Sequence, residues 1–310
     1  MIFETRAKVN LTLEVTGRRS DGYHMLDTVF QPLSLKDRIL VERLPSGLAF
    51  SCSDKSLETE DNLVCRAFRL MQERFGFAGG LSLRLEKHVP SQAGLGGGSG
   101  DAACVLKICS EIFGLGLSEA QLAELGAPLG ADVPALVYGC PTRGRGTGTL
   151  VTPIPTSLTL PLLIVKPPSG LSTPAMYRKL DELGLGGAAA GSPAHEENVP
   201  GGSADAPARS RSALAEAALR AGDRAALAAQ LRNDFDAAAD GEEIVLSRRA
   251  LRQAGAEAVV LCGSGSASFG LFPDAASRDL AGTRLRAELP EDWKVFEADT
   301  LSGEESGHER

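Results

Sequence analysis

The run Gly94-Leu95-Gly96-Gly97-Gly98-Ser99-Gly100-Asp101 constrains this chain more than any other stretch. It follows an alternating, strand-like segment (residues 81–87) and a proline, Pro90. Past it, the apolar residues Val105, Ile108, Cys109 and Ile112 recur at helical spacing. The chain must therefore pass from strand to helix through a loop almost without side chains. The first N–H groups of such a helix lack acceptors and sit at the positive end of its dipole, which suits phosphate. Glycine is needed because a Cβ would hold phosphate oxygens away from the backbone. A glycine cluster alone could equally be a tight turn; the strand before and the helix after it favour an anion site.

Two common phosphate motifs do not fit. A Walker A loop ends in Gly-Lys-Ser/Thr, and no Gly-Lys pair occurs in the chain. A dinucleotide fingerprint can be laid on Gly98, Gly100 and Ala103, but it needs an acidic residue at a strand end about twenty positions on. Glu119 and Glu124 fall there on a segment that reads as a helix.

The chain has 310 residues, enough for two domains. Its 32 basic against 40 acidic side chains give a net charge of −8, which argues against nucleic acid or an anionic membrane as the main partner. No window is long and apolar enough to span a bilayer. Residues 1–15 carry Glu4, Arg6 and Lys8 and lack the apolar core of a signal peptide. The six cysteines form no C-x-x-C pair, and the four histidines show no metal-ligand spacing. These features predict reduced thiols in a cytoplasmic protein.

Strands are predicted at 2–15, 35–43, 81–85, 158–165, 256–262, 267–272 and 293–298, and a hairpin at 142–151. Helices are predicted at 62–75, from about 101, at 118–125, 132–138, 212–221, 223–238, 242–254 and 275–288. Pro153 and Pro155 mark a boundary between a domain at 1–155 and a second at 156–300. The Gly/Ala/Ser/Pro-rich 184–211 segment reads as a mobile loop, and 301–310 as a disordered tail. The mixture of αβ and ββ connections predicts an α+β fold with a two-layer sandwich rather than a doubly wound sheet.

Several residues could serve chemistry beside the loop. Lys8 and Asn10 share one face of an apolar strand, either as an edge facing water or as the polar floor of a site. Asp132, in Gly130-Ala-Asp-Val-Pro134, opens an apolar helix, where an aspartate is commonly an N-cap; a catalytic carboxylate is the alternative. Gly263-Ser-Gly265 makes a second glycine turn at a strand end. Asp21-Gly-Tyr23-His24 places an aromatic ring and an imidazole about a dozen residues after Lys8.

Together these segments resemble the galactose/homoserine/mevalonate/phosphomevalonate (GHMP) kinase superfamily. Its P-x-x-x-G-L-G-G-G-S-S-x-A-A loop is matched from Pro90 to Ala103. Further matches are Ala7-Lys-Val-Asn-Leu11, Arg19-Ser-Asp-Gly-Tyr-His24, Glu60-Asp-Asn-Leu63, Leu129-Gly-Ala-Asp-Val-Pro134 and Gly263-Ser-Gly265. The Asp-Gly-Tyr-His element points to the branch that phosphorylates the 2-hydroxyl of a cytidyl-diphosphate-linked polyol in non-mevalonate isoprenoid synthesis. The resemblance implies an N-terminal domain like ribosomal protein S5 domain 2 and a ferredoxin-like C-terminal sandwich. It implies ATP and Mg²⁺, with Pro90 and residues 94–101 around the phosphates and Asn62 and Lys87 near the adenosine. Asp132 would accept the hydroxyl proton; Lys8 would keep Asp132 charged and stabilise the transferring phosphate. Asn10 would orient the substrate, and Tyr23, His24, Thr173 and Tyr177 would surround the cytosine. Gly263 and Gly265 would add a backbone surface. The expected assembly is a monomer or a homodimer.

The second serine of the superfamily loop is Gly100 here. The missing hydroxyl is expected to alter nucleotide affinity, with the Gly100 N–H still offered to phosphate. The rival readings are a homoserine- or mevalonate-type kinase, and a nucleotide-binding protein without catalysis.

Overall fold

A computed structural model describes residues 1–186 and 210–302 of the chain. Most of the segments read as a mobile loop (184–211) and a tail (301–310) lie outside the described residues. Among the described residues the strands form two sheets, of seven and four strands.

The first sheet is built on a long antiparallel pair, β1 (Ile2–Arg18) and β2 (His24–Leu44), in register from Ile2↔Leu40 to Arg18↔His24. β3 (Gly47–Cys52) runs parallel to β4 (Gly80–Glu86), which pairs with β2. α1 (Leu63–Phe75) and α2 (Gly97–Ile112) cover one face, burying Phe68, Met71, Val105 and Ile108 against Ile39, Val41 and Leu83. Each such side chain contributes about 1.5–3 kcal/mol through burial. α3 (Glu119–Gly126) and α4 (Val133–Tyr138) lead to the hairpin β5 (Thr142–Gly146) and β6 (Leu150–Pro153), whose β5 pairs with residues 26–30 of β2.

The second sheet holds β7 (Pro161–Lys166), β9 (Ala258–Leu261), β10 (Ser268–Leu271) and β11 (Lys294–Asp299) in the order β11-β7-β10-β9, all antiparallel. α5 (Thr173–Glu182), α6 (Arg211–Ala221), α7 (Arg224–Ala228), α8 (Glu242–Gln253) and α9 (Ala275–Glu288) complete the fold, and β8 (Arg232–Asn233) adds to β1 in the first sheet. One apolar cluster joins the sheets: Ala7, Val9 and Leu11 of β1 and Val29 of β2 pack with Ile164, Val260 and Phe269. Strand alternation then turns Lys8, Asn10 and Thr12 away from that core, yet all three are buried.

The structure corrects several expectations. β2 starts at His24 rather than 35, because Asp27, Gln31 and Pro32 interrupt the apolar pattern that marks its second half. β3 was not expected. α2 begins at Gly97, four residues before the predicted start, since tertiary packing holds glycines in a helical turn they disfavour intrinsically. The helix predicted at 223–238 stops at Ala228 and gives way to β8 and a 3₁₀ turn, Asp234–Ala237. Asn233 makes this break: its Oδ1 accepts from the Phe235 N–H at 3.0 Å, and its Nδ2 donates to the carbonyls of Leu261 and Gly263 at 2.9 and 2.7 Å.

Candidate active site

The loop between β4 and α2 is pinned on two sides. The Lys8 N–H donates to the Leu95 carbonyl at 2.9 Å, and the Ala267 N–H to the Ala93 carbonyl at 3.2 Å. Gly94 (φ +75°) presses on the second glycine turn so closely that a Cβ would lie 1.7 Å from the Cys262 carbonyl oxygen. Gly96 (φ +67°) lies over the Lys8 stem, where a Cβ would come within 2.8 Å of Cγ. Gly96 is also the N-cap of α2, and its carbonyl accepts from the Gly100 N–H at 2.8 Å. The N–H groups of Gly97, Gly98 and Ser99 therefore stand in the first turn, without intrahelical acceptors. The Ser99 hydroxyl makes no hydrogen bond among the described residues.

Two cavities meet at this loop. One, of about 440 Å³, is lined by Asn62, Lys87, Pro90, Gly94, Leu95, Gly96, Gly97, Gly98, Ser99 and Asp101. The other, of about 770 Å³, is lined by Lys8, Asn10, Tyr23, His24, Asp132, Thr173, Tyr177, Gly263 and Gly265, among others. Gln92, Gly94 and Gly96 belong to both walls.

Lys8 and Asp132 stand in the larger cavity. Lys8 Nζ is 3.1 Å from Asp132 Oδ2 and donates to Asn10 Oδ1 at 2.8 Å. Asn10 Nδ2 donates in turn to the Thr28 hydroxyl at 2.8 Å, and Thr28 donates to the Thr12 carbonyl at 2.6 Å. This chain of bonds holds the ammonium, whose side chain is 4% exposed, while that of Asp132 is 31% exposed. Asp132 does occupy the N-cap position of α4, but it makes no side-chain capping bond. The carboxylate faces Lys8 instead of capping the helix.

On the smaller cavity, Asn62 is the N-cap of α1, accepting from the Val64 N–H at 2.9 Å. Lys87 lies between two buried carboxylates, donating to Asp37 and, at 2.9 Å, to Asp101. Burial alone would lower the Lys87 pKa, but Asp101 and Asp37 outweigh it and raise it above the ordinary value. Burial pushes the Asp101 carboxyl up to about 6 against the pull of Lys87. Asp101 also accepts from the Thr5 hydroxyl at 2.8 Å, so its carboxylate is engaged within the protein. Asp37 further accepts from the Val89 N–H at 2.8 Å, tying the approach to the glycine loop to β2.

Gly100 departs from expectation. It does not line the cavity; its N–H is bonded to Gly96; and a Cβ there would sit 2.5 Å from the Arg6 carbonyl oxygen. Position 100 faces β1, so a side chain there would point away from the cavity.

At the far end of the larger cavity the His24 ring stacks on Tyr177, centroids 4.5 Å apart at 15°, and Phe235 meets Tyr177 edge-on at 4.8 Å. The two rings expected to flank a base thus touch each other and leave no slot between them, while Tyr23 is 66% exposed. Burial raises the Tyr177 phenol well above its ordinary range, so it acts here as a neutral ring. Thr173 and Ser264 share a hydroxyl hydrogen bond of 2.7 Å that joins α5 to the second glycine turn. Sequence reasoning missed Thr28, Asn233, Phe235 and Asp37. Their partners are mostly distant along the chain, so no local pattern marks them.

The chain is similar in sequence and fold to known proteins. Residues 62–140 match the family described as GHMP kinases N terminal domain. The structure superposes on a crystal structure of 4-(cytidine 5'-diphospho)-2C-methyl-D-erythritol kinase with a TM-score of 0.76 and 32% identity, covering 97% of this chain and 99% of that one. It shares its fold with the mevalonate kinase of L. major, at a TM-score of 0.71 and 17% identity over 97% of this chain and 96% of that one. Two joined sheets with a helix-opening glycine loop at their junction define a GHMP kinase, an ATP-dependent small-molecule kinase. A 4-diphosphocytidyl-2-C-methyl-D-erythritol kinase of Moorella thermoacetica is 41% identical over 92% of this chain and 94% of its own length. One of Symbiobacterium thermophilum is 36% identical over 95% and 99%. The chain belongs to the 4-diphosphocytidyl-2-C-methyl-D-erythritol kinase family.

Proposed function

We propose that this chain transfers the γ-phosphoryl group of ATP to the 2-hydroxyl of 4-diphosphocytidyl-2-C-methyl-D-erythritol, releasing ADP and the 2-phosphate. One observation carries the reading: the two cavities share Gly94 and Gly96, and beside that shared wall Lys8 and Asp132 lie 3.1 Å apart. A nucleotide in the smaller cavity and an alcohol in the larger one would meet where a base and a cation already stand.

Asp132 takes the proton of the attacking hydroxyl, and Lys8 stabilises charge on the phosphoryl oxygens as the new O–P bond forms and the bond to ADP breaks. The free N–H groups of Gly97, Gly98 and Ser99 hold phosphate oxygens at the helix start. Asn10 positions Lys8, and the exposed Tyr23 offers a face on which the cytosine ring stacks, beside the stacked pair of His24 and Tyr177.

Mg²⁺ suits the site as a companion of the nucleotide. The described residues contain no cluster of three His, Cys, Asp or Glu side chains able to hold a metal alone. A cation carried mainly by phosphate oxygens fits that donor set, with the free Ser99 hydroxyl as the protein's oxygen. When bound, it would neutralise charge on the phosphates.

Coupled measurement of ADP release tests the reading, with the cytidyl substrate compared with homoserine and mevalonate. Turnover confined to the cytidyl compound supports it; equal or faster turnover of either aliphatic acid overturns it. Tyr23→Ala and Tyr177→Ala are expected to raise KM for the cytidyl substrate far more than for ATP.

A further inference from the structure

Resting on the cytidyl substrate proposed above, we infer that Asp181 is a positioning residue that fixes the ring tautomer of His24 and so makes the cleft prefer an amino-bearing pyrimidine to an oxo-bearing one. Arg18 and His24 close the β1–β2 pair as register partners, and Asp181 comes from α5, one helical turn after Tyr177. Tyr177 and Asp181 therefore meet the same imidazole, one by stacking and the other at its edge. His24 Nε2 is 2.8 Å from Asp181 Oδ1. The other carboxylate oxygen, Oδ2, is 3.4 Å from Arg18 Nη1, and Arg18 Nε donates to the Gly22 carbonyl at 3.2 Å.

A carboxylate only accepts hydrogen bonds, so Nε2 carries the proton in this contact. A neutral imidazole has one N–H, and Nδ1 is then a bare acceptor. Arg18 already balances the charge of Asp181, so the ring need not supply a cation. Nδ1 makes no hydrogen bond among the described residues, and His24 lines the larger cavity. Cytosine presents an N–H donor at its 4-position, whereas uracil, like thymine, presents an acceptor. A bare Nδ1 accepts from the first and opposes the second.

Asp181→Asn separates this role from simple packing. Arg18 draws the amide oxygen, which turns the amide NH₂ toward His24 Nε2 and moves the ring proton to Nδ1, the same kind of tautomer error that an Asp-to-Asn change makes in a catalytic triad. Nδ1 then donates instead of accepting, and the base preference weakens. A mispaired polar contact of this kind changes affinity by about tenfold to a hundredfold.

The test measures kcat/KM for the cytidyl substrate and its uridyl counterpart, and KM for ATP, in the unmodified protein and in Asp181→Asn. It adds the ¹⁵N signature of His24 at pH 8 without substrate, assigned by comparison with His24→Gln. The expected results are an Nε2–H ring and a cytidyl preference in the unmodified protein. In the variant the ring should be Nδ1–H, with the preference reduced at least tenfold and KM for ATP unchanged. An Nδ1–H ring in the unmodified protein overturns the inference, as does a variant with undiminished preference or equal losses on all three substrates. Absence of turnover with any cytidyl compound would instead sink the proposed function, and the ring signature would still decide the role of Asp181.

Discussion

Replacing Gly94 by alanine puts a methyl group where the Cys262 carbonyl already is. The added carbon would lie 1.7 Å from that oxygen, so the two glycine turns must separate by about 1.3 Å to reach even a 3.0 Å contact. The left-handed φ of +75° adds a strain of roughly 1–2 kcal/mol for any residue with a Cβ. Gly94 walls both cavities, and a displacement of about 1 Å in a positioned site costs on the order of a hundredfold in rate, or about 2.7 kcal/mol of barrier. Gly114 supplies the control: its φ is +64°, with nothing within 4 Å of the Cβ position. Gly114→Ala should lose only the backbone term in thermal or urea unfolding and keep its activity. Gly94→Ala should lose stability and about a hundredfold in kcat/KM in the ADP-release assay. Full activity in Gly94→Ala, with a Tm loss equal to that of Gly114→Ala, would refute the idea that the touching turns set the site geometry.

Lys8→Met keeps the apolar stem beneath Gly96 and removes only the ammonium; kcat should fall by about 10²–10³-fold with KM for ATP little changed, and an unaltered kcat would remove Lys8 from the chemistry. Gly100→Ser should destabilise the protein by about 1–3 kcal/mol, because the new side chain meets the Arg6 carbonyl; tighter ATP binding at an unchanged Tm would show that position 100 faces phosphate after all. Burial raises Asp101 to about 6, above the roughly 3.9 of an unfolded aspartate. A raised acid contributes its stability fully below about pH 4 and loses it as pH rises through about 6. Asp101→Asn should therefore flatten the stability profile between those values, by on the order of 2–3 kcal/mol in urea unfolding, and an equally steep profile would contradict that assignment.

What could be read from the sequence was local. The glycine loop and the alternation of β4 depend on near neighbours, and both are found. Lys8 and Asn10 share a face because a strand alternates, and their 2.8 Å bond follows from that. Asp132 could not be resolved locally, since an N-cap and a catalytic carboxylate look alike at a helix start; its partner lies on another element. The same holds for Lys87, whose carboxylates are Asp37 and Asp101, and for His24, whose carboxylate is Asp181. β8 escaped because two residues carry no periodicity, and Asn233 earns its place through carbonyls of Leu261 and Gly263.

The pairing of Lys8 with Asp132 in the larger cavity, beside the wall it shares with the smaller one, is tested most directly by single-turnover kinetics of Asp132→Asn. The variant should bind ATP as the unmodified protein does while transferring phosphate to the cytidyl substrate at least about 10²–10⁴-fold more slowly, the contribution of a positioned general base. Transfer at an undiminished rate, with ATP binding intact, would contradict the assignment of Asp132 as that base.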